Sequence, residues 1–266
     1  MTNILQKILL RKEAEVQESL QRRPLKEIRQ LAERSPPARD FLAPLKSAPP
    51  IRLIAEVKKA SPSKGVIRSD FQPVPLAEAY HAGGASCLSV LTDVDFFQGS
   101  LDYLSAIANS VQLPLLRKDF MIHPYQVYEA RAAGADAVLL IAEWMEPEQL
   151  SSLYQLIREL GMAALIELYD RKHLDAVLDT GTQLIGINNR DLTTFQVDLQ
   201  HTIRLRAEIP SDRIVVGESG IHSRADALLL ESNGIQAMLV GESLMRQDDV
   251  RAATRSLLGL NIDKSS

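Results

Sequence analysis

The sequence predicts an α/β fold, a TIM (β/α)8 barrel with an N-terminal helical extension, and three observations support this prediction. From residue 51 onward, eight short apolar, β-branched runs follow one another along the chain. Amphipathic stretches alternate with these runs, and several of them end in glycine, which suits a left-handed helix cap. Continuous apolar strands are typical of a parallel sheet covered by helices on both faces. Eight such units in about 215 residues fit a TIM barrel.

The N-terminal part of the chain has a different pattern. Apolar residues such as Ile8, Val16 and Leu20 recur at helical spacing between charged residues, which predicts helix over residues 3–34. Pro24 is placed to open a second helix within this stretch.

Two proline-rich segments then interrupt the helical pattern, SPPARD (35–40) and SAPP (47–50). Prolines at this density break helices, so we expect a connector here. The sequence therefore predicts two parts, a helical extension packed on the barrel (1–50) and the (β/α)8 barrel itself (51–266).

The predicted strands are IRLIAEVK (51–58), SCLSVLT (86–92), LPLLRKD (113–119), DAVLLIA (136–142), AALIELY (163–169), LIGINN (184–189), RIVVGES (213–219) and AMLVGE (237–242). The clearest helices between them are VPLAEAYHAGG (74–84), PYQVYEARAAG (124–134), EPEQLSSLYQLIRELG (146–161) and SRADALLLESNG (223–234). An open doubly wound sheet is the alternative fold. It usually carries a GxGxxG fingerprint after its first strand, where this chain has KKASPSKG (58–65).

Composition limits the function classes. The net charge is −4, with 30 Lys and Arg against 34 Asp and Glu, which argues against a nucleic-acid binder. The single cysteine, Cys87, lies in an apolar run and is expected to be a buried core residue. No run of 18 apolar residues and no secretory signal are evident, so we expect a cytoplasmic protein without a membrane partner. We also expect no fused second domain and a monomer or weak homo-oligomer.

Polar residues cluster where the predicted strands end, which is where TIM barrels place their chemistry. They are Glu56, Lys58 and Ser61; Arg117, Lys118 and Asp119; Glu167; Asn188, Asn189 and Arg190; Glu218 and Ser219; and Gly241, Glu242 and Ser243. Strand alternation puts Glu56 and Lys58 on the same side. If that side faces the barrel interior, they converge with Lys118 and Glu167 over one pocket.

A structural interpretation of these charges stays open at this stage. Glu56 and Glu167 are embedded in apolar runs, where an unpaired charge costs several kcal/mol. Nearby lysines relieve that cost, so a purely structural ion-pair network explains the same pattern.

Glycines after the last two strands predict an anion site. GESGI (217–221) and VGES (240–243) place small residues where backbone N–H groups can face an anion. The loops after strands 7 and 8 commonly bind phosphate in this fold.

The remaining candidate residues point to no metal. The five histidines, His81, His123, His173, His201 and His222, have no metal-ligand spacing and are expected in helices or loops. Trp144 follows the fourth strand. It is placed either to line the mouth of the pocket or to cover apolar surface.

The chain resembles the indole-3-glycerol phosphate synthase family over the whole barrel and the N-terminal extension. The matching motifs are IAEVKKASPSKG (54–65), SVLTD with FFQG (89–99), PLLRKDF (114–120), ALIEL (164–168), IGINNRDL (185–192), GESGI (217–221) and LVGESLM (239–245). The common family motif has arginine where Lys59 stands here, and Lys59 keeps the charge.

The resemblance implies an enzyme of tryptophan biosynthesis, a decarboxylating lyase without metal or organic cofactor. Its substrate would be the sugar phosphate 1-(2-carboxyphenylamino)-1-deoxyribulose 5-phosphate, converted to indole-3-glycerol phosphate with release of carbon dioxide and water. Ring closure builds negative charge on a ketone oxygen and needs a general acid. Dehydration needs an acid for the departing hydroxyl and a base for a proton.

By resemblance, Lys118 is the general acid of ring closure and Glu167 the general base of dehydration. Lys58 would bind the substrate carboxylate, and the sequence leaves open which lysine protonates which oxygen. The resemblance implies that Glu56 is a partner that tunes the lysines, and that Asn188 and Arg190 position the substrate. It places Ser219 beside the substrate and Phe97 against the anthranilate ring. The implied substrate or phosphate contacts are Glu218, Ser61, Gly220, Gly241 and Glu242.

Two other kinds of function share part of this pattern. A sugar-phosphate isomerase on the same barrel can use carboxylates on strands 1 and 5, but it does not need Lys58 and Lys118. Phosphoribosylanthranilate isomerase would place a cysteine on the first strand, whereas Cys87 is on the second. A non-catalytic phosphate-binding or assembly subunit would keep the glycine loops and could lose the acid–base residues.

Overall fold

A computed structural model describes residues 4–47, 49–191 and 194–261 of the chain, and side chains from residue 6 onward. Eight parallel strands close into a barrel in sequential order, and the last strand pairs with the first. They are β1 (Arg52–Val57), β2 (Cys87–Leu91), β3 (Leu115–Lys118), β4 (Ala137–Ile141), β5 (Ala163–Leu168), β6 (Leu184–Asn188), β7 (Ile214–Glu218) and β8 (Ala237–Val240). The predicted barrel is confirmed, and each predicted run contains one strand.

Twelve α-helices occur in the described part of the chain: α1 (Ile4–Arg22), α2 (Leu25–Arg34), α3 (Ala43–Lys46), α4 (Pro73–Gly83), α5 (Leu101–Ser110), α6 (Pro124–Ala132), α7 (Pro147–Glu159), α8 (Leu174–Asp179), α9 (Gln200–Arg206), α10 (Arg224–Ser232), α11 (Glu242–Met245) and α12 (Val250–Leu258). The described residues also form two 3-10 helices, Ala142–Trp144 and Arg171–His173, which follow β4 and β5. The four helices singled out from the sequence correspond to α4, α6, α7 and α10. None of the described helices is both long and apolar enough to cross a membrane.

The N-terminal extension largely follows its sequence pattern. The predicted helix over 3–34 is divided at Pro24 into α1 and α2, and its first predicted residue, Asn3, lies outside the described residues. The proline-rich connector contains one feature that was not predicted, the single-turn helix α3. Asp40 lies two residues before the N-cap of this turn, Leu42, and its Oδ1 accepts hydrogen bonds from the amides of Leu42 (2.9 Å) and Ala43 (3.0 Å).

Two apolar cores hold the barrel. One fills the space between the strands and the surrounding helices, and the other fills the barrel interior. Phe41 and Leu45 of the extension belong to the interior core, together with Cys87 at the start of β2. The extension therefore closes the end of the barrel where the strands begin, and Cys87 is a buried core residue as predicted.

The extension is fastened to this end by a buried carboxylate. Asp136, just before β4, is 2% exposed and accepts three hydrogen bonds. Its Oδ1 accepts from the Arg39 amide (2.7 Å), and its Oδ2 accepts from Arg39 Nε (2.8 Å) and the Leu115 amide (2.8 Å). One side chain thus joins the extension, β3 and β4.

We expect Asp136→Asn to lower the free energy of unfolding by about 2–4 kcal/mol, because the new amide group faces a donor and leaves buried N–H groups without an acceptor. Urea denaturation followed by circular dichroism measures the change. Asp175→Asn is the matched control, since Asp175 is a 74% exposed side chain in an ion pair with Arg171, and no measurable change is expected there. Equal effects of the two substitutions would contradict the role given to Asp136.

Candidate active site

A cavity of about 220 Å³ opens at the end of the barrel where the strands finish. All residues predicted to form the site line it: Glu56, Lys58, Ser61, Phe97, Lys118, Glu167, Asn188, Arg190, Glu218, Ser219, Gly220, Gly241 and Glu242. The structure therefore brings together residues from strands or loops that are up to 186 positions apart in sequence (242 − 56).

The floor of the cavity is a layer of ionisable side chains from alternate strands. Glu56, Lys118, Glu167 and Glu218 come from β1, β3, β5 and β7. Each lies two residues after an apolar residue of the interior core: Ile54, Leu116, Leu165 and Val216. Because side chains alternate along a strand, the charged layer lies directly on the apolar filling of the barrel.

Lys118 is the centre of this layer. Its Nζ lies 3.1 Å from Glu167 Oε2 and 2.8 Å from Glu218 Oε2. A second ion pair joins Lys58 Nζ to Glu56 Oε2 at 2.5 Å. The three carboxylates are at most 5% exposed, so both lysines are needed to offset their desolvation.

Two glycines leave space for the carboxylates. A Cβ atom on Gly186 of β6 would lie 2.3 Å from Glu218 Oε1, and one on Gly241 would lie 2.4 Å from Glu56 Oε2. A side chain at either position would displace a charged group from the layer.

The electrostatics follow from three carboxylates facing two lysines. Burial opposes the charge of Lys118, but Glu167 and Glu218 outweigh it and raise the pKa of the lysine. Burial also opposes the charge of Glu56, but Lys58 and Lys118 outweigh it and lower its pKa. For Glu218, burial and the neighbouring carboxylates prevail over Lys118 and raise its pKa to about 8. The excess of carboxyl groups over ammonium groups in the layer therefore favours the protonated form of Glu218.

Asn188, at the end of β6, orients the carboxylate of Glu167. Its Nδ2 donates to Glu167 Oε1 at 2.9 Å, and its Oδ1 accepts from the Arg190 amide at 3.0 Å. With Lys118 on its other oxygen, Glu167 is held from both sides.

The loop after β7 has an unusual backbone. Ser219 and Gly220 both have positive φ, 65° and 77°. For serine this conformation costs about 1 kcal/mol or more. Buried Asn189 holds the loop, since its Nδ2 donates to the Ser219 carbonyl at 3.1 Å and its Oδ1 accepts from the Thr202 hydroxyl at 2.7 Å. Backbone turns can present N–H groups to an anion, and this loop is such a turn.

One wall of the cavity is aromatic. Phe97 and Phe120 pack with ring centroids 5.9 Å apart, and Phe120 stacks on Trp144 at 4.6 Å. Of the two placements considered for Trp144, the structure shows it lining the cavity. We call Phe97, Phe120 and Trp144 the aromatic wall.

Sequence reasoning missed several residues of the cavity. Phe120 directly follows the predicted third strand and could have been found from its position. Ile8 of α1 also lines the cavity. No local signal marks it, because its placement depends on how the extension packs on the barrel.

Three polar atoms that belong to cavity-lining residues are buried without a hydrogen-bond partner among the described residues. They are Ser61 Oγ, Trp144 Nε1 and Glu218 Oε1. Buried polar groups are normally paired, so these three atoms are exceptions among the residues that line the cavity.

The described residues contain no group of three or more His, Cys, Asp or Glu arranged to hold a metal ion. Two histidines have local contacts. His123 Nδ1 accepts from the Tyr125 amide at the start of α6, and His201 Nε2 lies 2.7 Å from the Tyr169 carbonyl oxygen.

Comparison with known proteins gives a consistent result. A family model described as indole-3-glycerol phosphate synthase matches residues 5–257. A protein of that name from Rhodopirellula baltica is 57% identical over 88% of this chain and 91% of its own length. Another, from Albidiferax ferrireducens, is 48% identical over 97% of this chain and 98% of its own length.

Solved structures with low identity share the fold. A 3-hexulose-6-phosphate synthase superposes with a TM-score of 0.62 at 12% identity, over 79% of this chain and 99% of that one. A thiamine phosphate pyrophosphorylase from Pyrococcus furiosus gives 0.56 at 16% identity, over 78% and 93%.

The raised pKa of Glu218, about 8, generates a prediction about stability. An unfolded glutamate ionises near pH 4.3, about four pH units lower. Between these values the folded protein binds more protons, so the carboxyl of Glu218 lowers stability as pH rises, and this effect is complete above pH 8.

We compare the free energies of unfolding of Glu218→Gln and of the unsubstituted protein. Because glutamine does not titrate, the difference (variant minus unsubstituted protein) should increase by about 1–3 kcal/mol from pH 5 to pH 9. Urea midpoints measured across this range test it, with Glu208→Gln at an exposed ion pair as the control. A stability difference that stays constant over the range would contradict the prediction.

Proposed function

This chain belongs to the indole-3-glycerol phosphate synthase family and is a decarboxylating lyase of tryptophan biosynthesis, and we propose how its cavity carries out the reaction. The substrate is 1-(2-carboxyphenylamino)-1-deoxyribulose 5-phosphate. Ring closure, decarboxylation and dehydration convert it to indole-3-glycerol phosphate. The observation that carries the proposal is the buried lysine–carboxylate layer, because it provides acids and a base in one enclosed place.

We assign ring closure to Lys118. An aromatic carbon attacks the ketone carbon, the electron pair of the carbonyl moves to oxygen, and the ammonium group of Lys118 donates a proton there. The position of Lys118 between Glu167 and Glu218 keeps it charged until negative charge develops on the substrate.

We assign the substrate carboxylate to Lys58. Its ammonium group neutralises the carboxylate before carbon dioxide leaves, and the electron pair of the broken bond restores aromaticity to the ring. Glu56, 2.5 Å away, orients Lys58 and offsets its charge after the carboxylate has gone. Lys58 then supplies the proton that departs with the hydroxyl as water.

Glu167 is assigned as the general base of dehydration. It takes the proton from the carbon next to the departing hydroxyl, and that electron pair forms the double bond of the indole. The hydrogen bond from Asn188 and the ion pair with Lys118 support this assignment, because they fix the direction of the carboxylate.

We propose that the phosphate binds at the loops after β7 and β8. The contributing groups are the backbone N–H groups of Gly220, Gly241 and Glu242, with the side chains of Ser61 and Arg190. The positive φ values at Ser219 and Gly220 support this placement, as does the hydrogen bond from Ser243 Oγ to the Ile221 carbonyl (3.0 Å), which ties the two loops together. Ser219 lies beside the substrate, and Phe97 packs on its anthranilate ring.

The alternatives explain fewer observations. A sugar-phosphate isomerase accounts for Glu56 and Glu167 but not for two lysines in the same layer. A non-catalytic phosphate-binding subunit accounts for the glycine loops but not for a buried acid–base layer that costs stability.

We also propose how the two parts of the chain are arranged and where the protein acts. Residues 1–50 form an extension that covers the barrel of residues 51–266 and helps to enclose the substrate. The protein acts in the cytoplasm on a small sugar phosphate rather than on nucleic acid or a membrane, as a monomer or weak homo-oligomer. The net charge of −4 supports the absence of a nucleic-acid partner.

We expect Lys118→Ala to lower kcat at least about a hundredfold, because ring closure loses its proton donor. Indole fluorescence measures product formed from the carboxyphenylamino substrate, and far-UV circular dichroism checks the fold. Lys172→Ala, at a 68% exposed lysine side chain, should retain full activity. A folded Lys118→Ala protein with near-normal turnover would refute the assignment.

Turnover is expected to be the same with and without EDTA, because the proposed chemistry uses only side chains of the protein. The same fluorescence assay compares the two rates. Loss of activity in EDTA that zinc or magnesium restores would contradict this mechanism.

A further inference from the structure

The N-terminal helix α1 contributes a buried cation that the mechanism does not use. Lys12 is 1% exposed, although lysine is almost never fully buried. Its Nζ lies 2.7 Å from Asp93 Oδ2, 2.9 Å from Asp119 Oδ1 and 2.8 Å from Glu15 Oε2. Two of these carboxylates belong to the barrel, just after β2 and β3, so Lys12 joins the extension to the catalytic end of the barrel.

Both barrel carboxylates also hold the backbone of the aromatic wall. Asp93 Oδ1 accepts hydrogen bonds from the amides of Phe96 (2.7 Å) and Phe97 (3.0 Å). Asp119 Oδ1 accepts from the amide of Phe120 (2.8 Å). A single ammonium group therefore bridges the two turns that carry Phe97 and Phe120.

The same helix places an apolar side chain in the cavity. Ile8 lies one turn before Lys12 on α1 and lines the cavity together with the aromatic wall. The position of Lys12 thus sets the distance between α1 and the aromatic wall, which is the part of the cavity suited to a flat apolar ring.

Charge balance explains the ion pair with Asp93, which is fully buried and has no second ion pair among the described residues, but it does not explain the ion pair with Asp119. Asp119 has a second buried partner in Arg117, whose NH2 lies 3.2 Å from its Oδ2, and it also accepts a hydrogen bond from the Thr92 hydroxyl (2.6 Å). Asp119 would remain paired without Lys12. What the lysine adds is a connection between two loops and the extension.

We propose that Lys12 is a positioning residue that holds the aromatic wall and α1 in place around the aromatic ring of the substrate. The inference rests on the proposed function for the identity of that ring. Lys12 takes no part in proton transfer, so its loss weakens substrate binding and leaves the chemical steps largely intact.

The test replaces Lys12 with methionine, which keeps most of the side-chain volume and removes the charge. We expect KM for the carboxyphenylamino substrate to rise about tenfold and kcat to change less than about threefold. Lys7→Met is the matched control, because Lys7 is an exposed lysine on the same helix, and its KM and kcat should equal those of the unsubstituted protein.

A second measurement does not depend on the reaction. Trp144 is the only tryptophan of the chain, and it stacks on Phe120. Its emission should therefore shift to longer wavelength in Lys12→Met and stay unchanged in Lys7→Met. If the unsubstituted protein formed no indole-3-glycerol phosphate, the proposed function would fail, while the emission comparison would still decide the role of Lys12.

Asp93→Asn serves as the second variant if Lys12→Met does not fold. It keeps the buried volume and an acceptor for the Phe96 and Phe97 amides, but it places an amide group against the ammonium of Lys12. We expect a raised KM and a shifted emission here as well. Unchanged KM and emission in the folded variant, or a fall in kcat at constant KM, would overturn the proposal.

Discussion

Ion pairing at the mouth of a closed barrel is the interaction on which the rest of the site depends. Glu56, Glu167 and Glu218 form the layer directly above the apolar core of the barrel interior, and each is almost fully removed from water. Such a layer is stable only if its charges are offset within hydrogen-bonding distance. Lys58 and Lys118 supply that compensation.

Several features of the surrounding structure follow from this requirement. Glycine fits at positions 186 and 241 because carboxylate oxygens of Glu218 and Glu56 occupy the space where a Cβ would lie. Asn188 fixes the direction of Glu167, and Asn189 fixes the loop that follows Glu218. Ion-paired charges form the floor of the cavity.

The predictable part of the molecule is the part governed by local periodicity. Strand alternation placed Glu56 and Lys58 on one side, and the barrel rule placed Lys118 and Glu167 beside them, without any tertiary information. The sequence could not distinguish a structural ion-pair network from a catalytic site, because both use the same ion pairs. Ile8 and Lys12 had no local signal, since their roles arise only when α1 packs across the ends of β2 and β3. The single-turn helix α3 was missed because the prolines around it predict a connector, whereas the hydrogen bonds to Asp40 are seen only in the structure.

The extension is attached at both ends of the barrel, through Asp136 where the strands begin and through Lys12 where they finish. This has a consequence for biogenesis. Arg39 leaves the ribosome 97 residues before Asp136, and chain synthesis at about 5–20 residues per second separates the two by on the order of ten seconds. During that interval the apolar faces of the nascent helices have no barrel to cover. The extension is made before the strands on which it packs, so its contacts with β2 to β4 form only after those strands have emerged.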